Sequence, residues 1–357
     1  MHDIVVVGGG IHGLSAAFHL RRRGRGVVVI DRFGVGHDRG GSHGSTRITR
    51  SSYHDRRYVQ LAQRTQQQGW PLFEAELGQQ LVHATPGLFF GPPEGLFADF
   101  LTATLDSGVD VEQIDRAAAQ RSFPLLRFDA GDVVMLDHTA GVLAAADTMS
   151  GLRDWLQANG VEIRDRVTVT QIHAAADAIS IETESETIRS QNVVVAAGAW
   201  LGELLPEWRQ SLTVLRQEVG YVQVETSSHE LQVGAFPVWC RIGVTAADFV
   251  YGLPEFGRPG LKVAHHRTVG SGDDPNLVPS TIDREALAAL ARERLTPPEP
   301  VILSSEHCLY SVAPNEQLQV RRSAMDPRII GVAACSGHGF KFGPVIGEQV
   351  ADLLVPR

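Results

Sequence analysis

The sequence predicts an α/β fold of two units, a parallel-sheet unit into which a β-rich unit is inserted. Three observations carry this. The chain opens on an apolar run, a glycine-rich turn and a helical pattern between Ile4 and Phe18. Buried-looking runs of the same kind return far downstream, at Val193–Ala197 and Ile329–Ala334. Much of the chain between has the two-residue alternation of strands. At 357 residues the chain is long enough for two domains.

Taken in order, Ile4 to Val7 is a continuous β-branched run, read as a fully buried strand. Gly8-Gly9-Gly10-Ile11-His12-Gly13 follows as a tight turn, then Leu14, Ala17 and Phe18 at helical spacing. Gly24 and Gly26 end that helix, and Val27 to Ile30 is a second buried strand closing at Asp31. Gly34 to Gly44 is glycine-rich and polar, suited to a loop wrapped around a ligand. A helix with Tyr58, Leu61, Ala62 and Thr65 on one face follows. Gly91-Pro92-Pro93-Glu94-Gly95 breaks the pattern, and we read 87–142 as an excursion into the second unit. Met149, Leu152, Trp155 and Leu156 form a helix closed by Gly160. Val167–Thr170, Ile179–Thr183 and Thr187-Ile188 read as short strands of a meander, before the buried strand Val193–Ala197. From Arg216 to about Pro300 the chain is mostly strands, with one helix near Leu287, Leu290 and Ala291. Ile329–Ala334, a glycine loop and a helix over Val345–Leu354 return to α/β character. We therefore place 1–86, 143–215 and 301–357 in the dinucleotide unit, and 87–142 and 216–300 in the substrate unit.

Composition narrows the function. Apolar residues make up 43% and charged residues 20%, which excludes a disordered or fibrous chain. No run of about 18 uncharged apolar residues exists, so no membrane-spanning helix is expected. The first strand starts after Met1-His2-Asp3, leaving no room for a signal peptide, and we expect a cytoplasmic protein. Cys240, Cys308 and Cys335 are too few and too far apart for a disulfide framework or a zinc site, and fit a reducing compartment. A net charge of −9 removes the general attraction to phosphate backbones, so a small-molecule partner is expected, with no nucleic acid, membrane or obligatory protein partner.

Gly8, Gly10 and Gly13 satisfy GxGxxG between a strand and a helix, with Asp31 ending the next strand. The first glycine permits the turn, the second lets a pyrophosphate approach the backbone, and the third allows close helix packing. The helix N-terminus stabilises the phosphate charge, and Asp31 would accept hydrogen bonds from the adenosine ribose. This is a Rossmann-like fingerprint. FAD and NAD both use it, so it specifies an adenine dinucleotide without choosing between them.

Four further segments lie in order along the chain: Ser42-His43-Gly44-Ser45-Thr46-Arg47-Ile48-Thr49-Arg50, Gly260-Leu261-Lys262, Cys308-Leu309-Tyr310 and Ser336-Gly337-His338-Gly339-Phe340-Lys341. Together with the fingerprint they resemble the monomeric sarcosine oxidase family of FAD-dependent amine oxidases, over nearly the whole chain. That family includes N-methyltryptophan oxidase, pipecolate oxidase and biosynthetic imino-acid oxidases. The resemblance implies a glutathione-reductase-like fold of the D-amino-acid oxidase superfamily. It also implies FAD held by Ile11, His12, Arg32, Ser42, His43, Thr46, Val167, Gly198, Gly337, Gly339 and Phe340 besides the fingerprint residues.

Geometry and resemblance can be read side by side. Cys308 and Tyr310 are two apart and project from one face of an extended segment, as do Lys262, Ala264 and His266. A lone cysteine is otherwise read as a small buried hydrophobe, and Lys262 as a solvated edge lysine. The resemblance implies instead that Cys308 carries the flavin through a thioether at the ring's 8α carbon. It implies that Lys262 sits over the flavin and promotes reaction with oxygen, while His266, Tyr251 and Tyr310 line the substrate pocket. Arg47 would stand beside the flavin. Arg50 and Lys341, the latter also counted with the flavin contacts, would hold a substrate carboxylate, for which a guanidinium fork is suited. Cys240 and Cys335 are read as packing.

The chain departs from the family's usual Thr, Pro, Asp and Glu after the Cys-x-Tyr segment, running Ser311-Val312-Ala313-Pro314-Asn315-Glu316-Gln317. Residues 87–142 offer no assignable pocket residue. The implied reaction is therefore oxidation of an N-methyl, cyclic or larger amino acid to an imine, with O2 reduced to H2O2. A dehydrogenase delivering electrons to a quinone or carrier, or a flavin-binding protein without catalysis, would share most of these motifs.

Overall fold

Ile4, Val5 and Val6 have no solvent exposure on either face of their strand, which is why that stretch is apolar without alternation. The computed structural model describes residues 1–226, 228–277, 281–296 and 299–355, so small parts of the expected 216–300 and 301–357 segments lie outside the described residues. His2–Val7 pairs in parallel with Val27–Asp31 on one side and with Thr187–Val195 on the other. Glu162–Asp165 extends the sheet beyond Val27–Asp31, and Ile329–Ala333 joins at the C-terminal half of Thr187–Val195. The helix Ile11–Arg22 packs on this sheet beside the C-terminal helix Gly343–Leu354. Their approach is close because Gly347 has no side chain: a Cβ there would lie 2.4 Å from the Ser15 carbonyl carbon.

The meander differs from expectation. Thr187-Ile188 and Val193–Val195 are one continuous strand, whose first half pairs with Ile179–Thr183 and whose second half enters the parallel sheet. The polar stretch Arg189 to Asn192 hid that continuity, because the strand passes there from a half-exposed hairpin to the buried centre. The preceding strand begins at Val169 rather than Val167.

The second sheet has eight strands in the order Val301–Val312, Thr213–Gln223, Leu261–His265, Val250–Leu253, Val238–Arg241, Gly87–Gly91, Val133–Asp137 and Val111–Ile114. All neighbours are antiparallel except Val238–Arg241 with Gly87–Gly91. Val301–Val312 is hydrogen bonded to Thr213–Gln223 along its length, so this strand lies in the second sheet although the sequence reading groups it with the dinucleotide unit. A third, small sheet of Thr46–Thr49, Gly141–Ala144 and Val82–Ala84 carries the arginine loop. Among the described residues no helix is long and apolar enough to cross a membrane.

Register decides what the second sheet shows its two faces. Leu88, Phe90, Trp239 and Val263 face a core with Leu287, Leu290 and Ala291 of the helix Arg284–Arg294. Residues of the opposite parity form a row across the strands: Phe89 pairs with Cys240, Cys240 with Tyr251, Tyr251 with Ala264, Ala264 with Val219 and Val219 with Glu306. One pleat along, Lys262 pairs with Tyr221 and Cys308 with Gln217. Cross-strand partners share a face, so Lys262, Tyr251, Glu306, Cys308 and Tyr310 are presented together.

Candidate active site

Two adjoining cavities occupy the space between the sheets. The first, about 140 Å3, is a groove along the fingerprint. Gly8 has φ +108°, and a Cβ on it would lie 2.4 Å from the Ala196 carbonyl oxygen. A Cβ on Gly13 would lie 1.9 Å from the Gly8 oxygen, which fixes the third glycine of the motif as a packing requirement. Gly10 caps the helix Ile11–Arg22 with no side-chain acceptor, and no acidic residue stands in the first turn. That helix terminus is thus open to an anion, apart from the Ile11 amide, which donates to Ser42 Oγ at 3.1 Å.

Asp31 is more engaged than expected. Its carboxylate accepts from the amides of Gly9 at 2.7 Å, Phe33 at 2.8 Å and Gly34 at 2.7 Å, tying the fingerprint turn to the following loop. His12 Nε2 lies 3.1 Å from the Gly339 oxygen and ties the turn to the glycine loop before the last helix. Arg32, Val167 and Gly198 line the groove, with the Arg32 guanidinium over the rings of Phe33 and Trp200. The open helix terminus and the glycine cradle fit the diphosphate of a dinucleotide, and Gly41, Cys335 and Phe340 border both cavities, so one elongated ligand can reach from groove to pocket.

The second cavity, about 310 Å3, is lined by His43, Thr46, Arg47, Arg50, Tyr251, Lys262, His266, Cys308, Tyr310, Gly337, Gly339, Phe340 and Lys341. Residues expected at the site from five distant segments thus share one wall. Arg47 has both terminal nitrogens engaged: Nη1 donates to the Thr46 oxygen at 2.7 Å, and Nη2 to the oxygens of Gly41 at 2.8 Å and His43 at 2.7 Å, which shapes the loop. Arg50 differs. It is 5% exposed, it lies over the rings of Tyr53, Phe100 and Phe89, and its Nη1 has no hydrogen-bond partner among the described residues. Lys341 Nζ donates to Tyr53 Oη at 3.0 Å. Burial, and then the charge of Arg50, push the Lys341 amine well below its ordinary value. A buried guanidinium with an unpartnered nitrogen, beside an amine whose charged form burial and that guanidinium oppose, is an arrangement that an anion would complete: it would pair with Arg50 and favour the protonated Lys341.

Lys262 is also buried. Its Nζ donates to the Thr46 oxygen at 3.3 Å and lies 4.0 Å from Glu306 Oε1. Burial, then Arg47, lower its pKa to about 7, against the pull of Glu306. His266 lies 3.6 Å from Glu316 Oε2, and its ring packs against Phe249 and Tyr310. Burial opposes the ionised form of Glu316, but His266 outweighs it and holds the carboxyl below its ordinary range. Burial raises the Cys308 thiol, with Arg47 and Lys262 pulling the other way.

Gly337 holds φ +72°, and a Cβ there would lie 2.2 Å from Tyr310 Cε2 and 2.6 Å from His266 Cε1. Gly337→Ala should displace both rings. We expect a loss of about 100-fold in kcat/KM, the usual penalty for misplacing a site group by an ångström, with flavin content retained. Steady-state rates normalised to bound flavin check this.

The sequence reading missed Tyr53, Phe100, Glu306 and Glu316, all on the cavity wall. Glu306 was accessible to it, since it continues the two-residue period of Cys308 and Tyr310. So was a second signal: of 32 basic residues only two are lysines, Lys262 and Lys341, and both line this cavity.

The chain is similar to known proteins along nearly its whole length. The family model described as FAD dependent oxidoreductase matches residues 3–353. The monomeric sarcosine oxidase of Streptomyces avermitilis is 30% identical, covering 99% of this chain and 94% of its own. The human peroxisomal sarcosine oxidase is 29% identical, covering 98% of this chain and 91% of its own. Among solved structures, the amino acid oxidase NikD of nikkomycin biosynthesis superposes with a TM-score of 0.86 at 24% identity, over 99% of this chain and 94% of that one.

Proposed function

The chain belongs to the FAD-dependent oxidoreductase family, and from that membership and the cavity we propose that it oxidises an N-methyl or cyclic amino acid to the imine and delivers the electrons to oxygen as hydrogen peroxide. It is an FAD-dependent amine oxidase of the sarcosine oxidase type. The observation that carries the substrate class is the buried guanidinium of Arg50, with an unpartnered nitrogen, beside the buried amine of Lys341, in a pocket walled by aromatic rings. A carboxylate completes that pair, and the rings of Tyr53, Phe100 and Phe249 offer apolar room for the rest of the molecule.

Held along the groove of Gly8, Gly10, Ile11 and His12, a flavin dinucleotide would supply the two-electron acceptor for the hydride equivalent that leaves the substrate α-carbon. The protein's own part is orientation and charge. Arg50 and Lys341 anchor the acid, while Tyr251, Tyr310 and His266 wall the amine end. Lys262 supplies a cation near the flavin position, which favours the negative charge that develops when oxygen takes an electron. Cys308, on the wall of the same cavity, would carry the flavin through a thioether. Anaerobic mixing with N-methyl and cyclic amino acids, followed by bleaching of the flavin absorbance, tests the reading. Absence of bleaching with every such acid would overturn it, and peroxide yield distinguishes an oxidase from a dehydrogenase.

Lys262→Met should slow reoxidation by about 100-fold, the usual effect of removing one preorganised electrostatic group, with a smaller effect on flavin reduction. The sign with pH follows from the lowered pKa. The lysine is charged below about 7, so the parent's oxygen rate constant should fall as pH rises through that value, and Lys262→Met should lose the dependence. Stopped-flow measurement of both half-reactions checks this.

A further inference from the structure

Lysine is rare in this chain, with two against thirty arginines, and neither lysine is at the surface. Arginine supplies a permanent cation, whereas a buried lysine can exist with or without its proton. What surrounds Lys262 therefore decides whether the cavity presents a charge at all.

Glu306 faces Lys262 from the neighbouring edge of the sheet, two residues before Cys308 and on the same face. Its Oε1 accepts from Tyr221 Oη at 2.7 Å and lies 4.0 Å from Lys262 Nζ. Its Oε2 accepts from Arg258 Nη1 at 3.0 Å. Arg258 stacks on the Tyr221 ring with its guanidinium carbon 3.8 Å from the centroid, and its Nη2 donates to Ser304 Oγ at 2.7 Å. Space is kept for the carboxylate, because a Cβ on Gly44 would lie 2.9 Å from Oε1. The carboxylate is thus shared between a half-exposed arginine and a buried lysine, whose side chains are 32% and 5% exposed. The other titratable or charged groups acting on Lys262 or ringing it are Arg47, His43, Cys308 and Tyr221. Burial and the arginines Arg47 and Arg258 favour the neutral amine, and the Glu306 carboxylate favours the cation.

We propose that Glu306 is a positioning residue for Lys262: by dividing its charge between Lys262 and Arg258 it determines whether the lysine is protonated, and so whether a cation faces the flavin position. The inference rests on the proposed role of Lys262 for its consequence in catalysis, but the coupling between the two side chains can be measured without turnover.

The test uses the full-length holoenzyme labelled with 13C-lysine, in which two lysines give two sets of side-chain signals; Lys341→Met assigns them. The Lys262 midpoint is titrated by NMR in the parent, Glu306→Gln and Arg258→Gln. Glu306→Gln should lower the midpoint by about 1 pH unit or more, the usual effect of an opposite charge at this range. Arg258→Gln should raise it, since a repelling charge is gone and Glu306 is released to Lys262. The pH profile of the oxygen rate constant should move with the midpoint in both variants. A change in packing alone would not produce opposite shifts from partners of one cluster. If Glu306→Gln does not fold, Glu306→Asp, which keeps the charge, and Arg258→Gln carry the test. An unmoved midpoint in Glu306→Gln, or in Arg258→Gln where the first does not fold, overturns the proposal. Shifted midpoints with an unimpaired oxygen rate in Lys262→Met would uphold the coupling and retire the role of Lys262 in oxygen reduction.

Discussion

Acid-precipitated parent protein should stay yellow, and precipitated Cys308→Ser should release its flavin into the supernatant. The expectation comes from position. Cys308 is buried on the face that also presents Lys262 and Tyr310, on the wall of the larger cavity and near its junction with the dinucleotide groove. The attacking species in such an attachment is the thiolate. Burial holds the Cys308 thiol above its ordinary pKa, so attachment in protein reconstituted from apoprotein and FAD should quicken as pH rises. A second thiol makes the test sharper: Cys335 borders both cavities and lies close enough to Cys308 to raise its pKa. Cys335→Ser should keep its flavin through precipitation. Release from Cys335→Ser with retention in Cys308→Ser would transfer the assignment to Cys335. Complete release from the parent would end the covalent reading altogether. Cys240 is no rival, since three strands of the sheet lie between it and the strand of Cys308, and burial pushes its thiol up to about 11.

What could be read from the chain was what local chemistry records. A parallel strand shielded on both faces must be apolar throughout, and the fingerprint glycines each sit where a Cβ would collide, so both left direct marks in the sequence. The two-residue period placed Cys308 with Tyr310 and Lys262 with Ala264. It could not place the two pairs together, because that follows from the register of Thr213–Gln223 against both strands, a non-local pairing without a local signal. The same limit applies to Val301–Val312, whose pairing with Thr213–Gln223 is equally non-local. Tyr53 was invisible for a related reason, since its partner Lys341 is 288 residues away. Glu316 lies beyond a strand end in a turn where Asn315 and Glu316 both hold left-handed φ, at 54° and 55°. No periodicity reaches such a residue, and only the folded turn brings its carboxylate to His266.

Arg50→Met should abolish productive binding of the acid substrate while leaving the ligand-free protein at least as stable as the parent. The two halves of this expectation have opposite signs because of what surrounds the side chain. A guanidinium that is 5% exposed, with Nη1 unpartnered among the described residues and no counter-charge from the neighbouring Lys341 amine, is held at a cost in the empty pocket. Methionine keeps the contact with the rings of Tyr53, Phe89 and Phe100 and removes that cost. The loss on binding should be on the order of 2 to 5 kcal/mol, the usual effect of leaving a buried partner charge unpaired. Carboxylate-only competitive inhibitors should weaken in parallel. An amide or decarboxylated analogue should already be poor with the parent and lose little more in the variant. Binding is read from flavin spectral titration, and stability from the denaturant midpoint of each ligand-free protein. If Arg50 serves the fold, the variant should instead fall in stability and lose acid and amide equally. That result would withdraw the carboxylate from the proposed substrate, and with it the amino-acid part of the function.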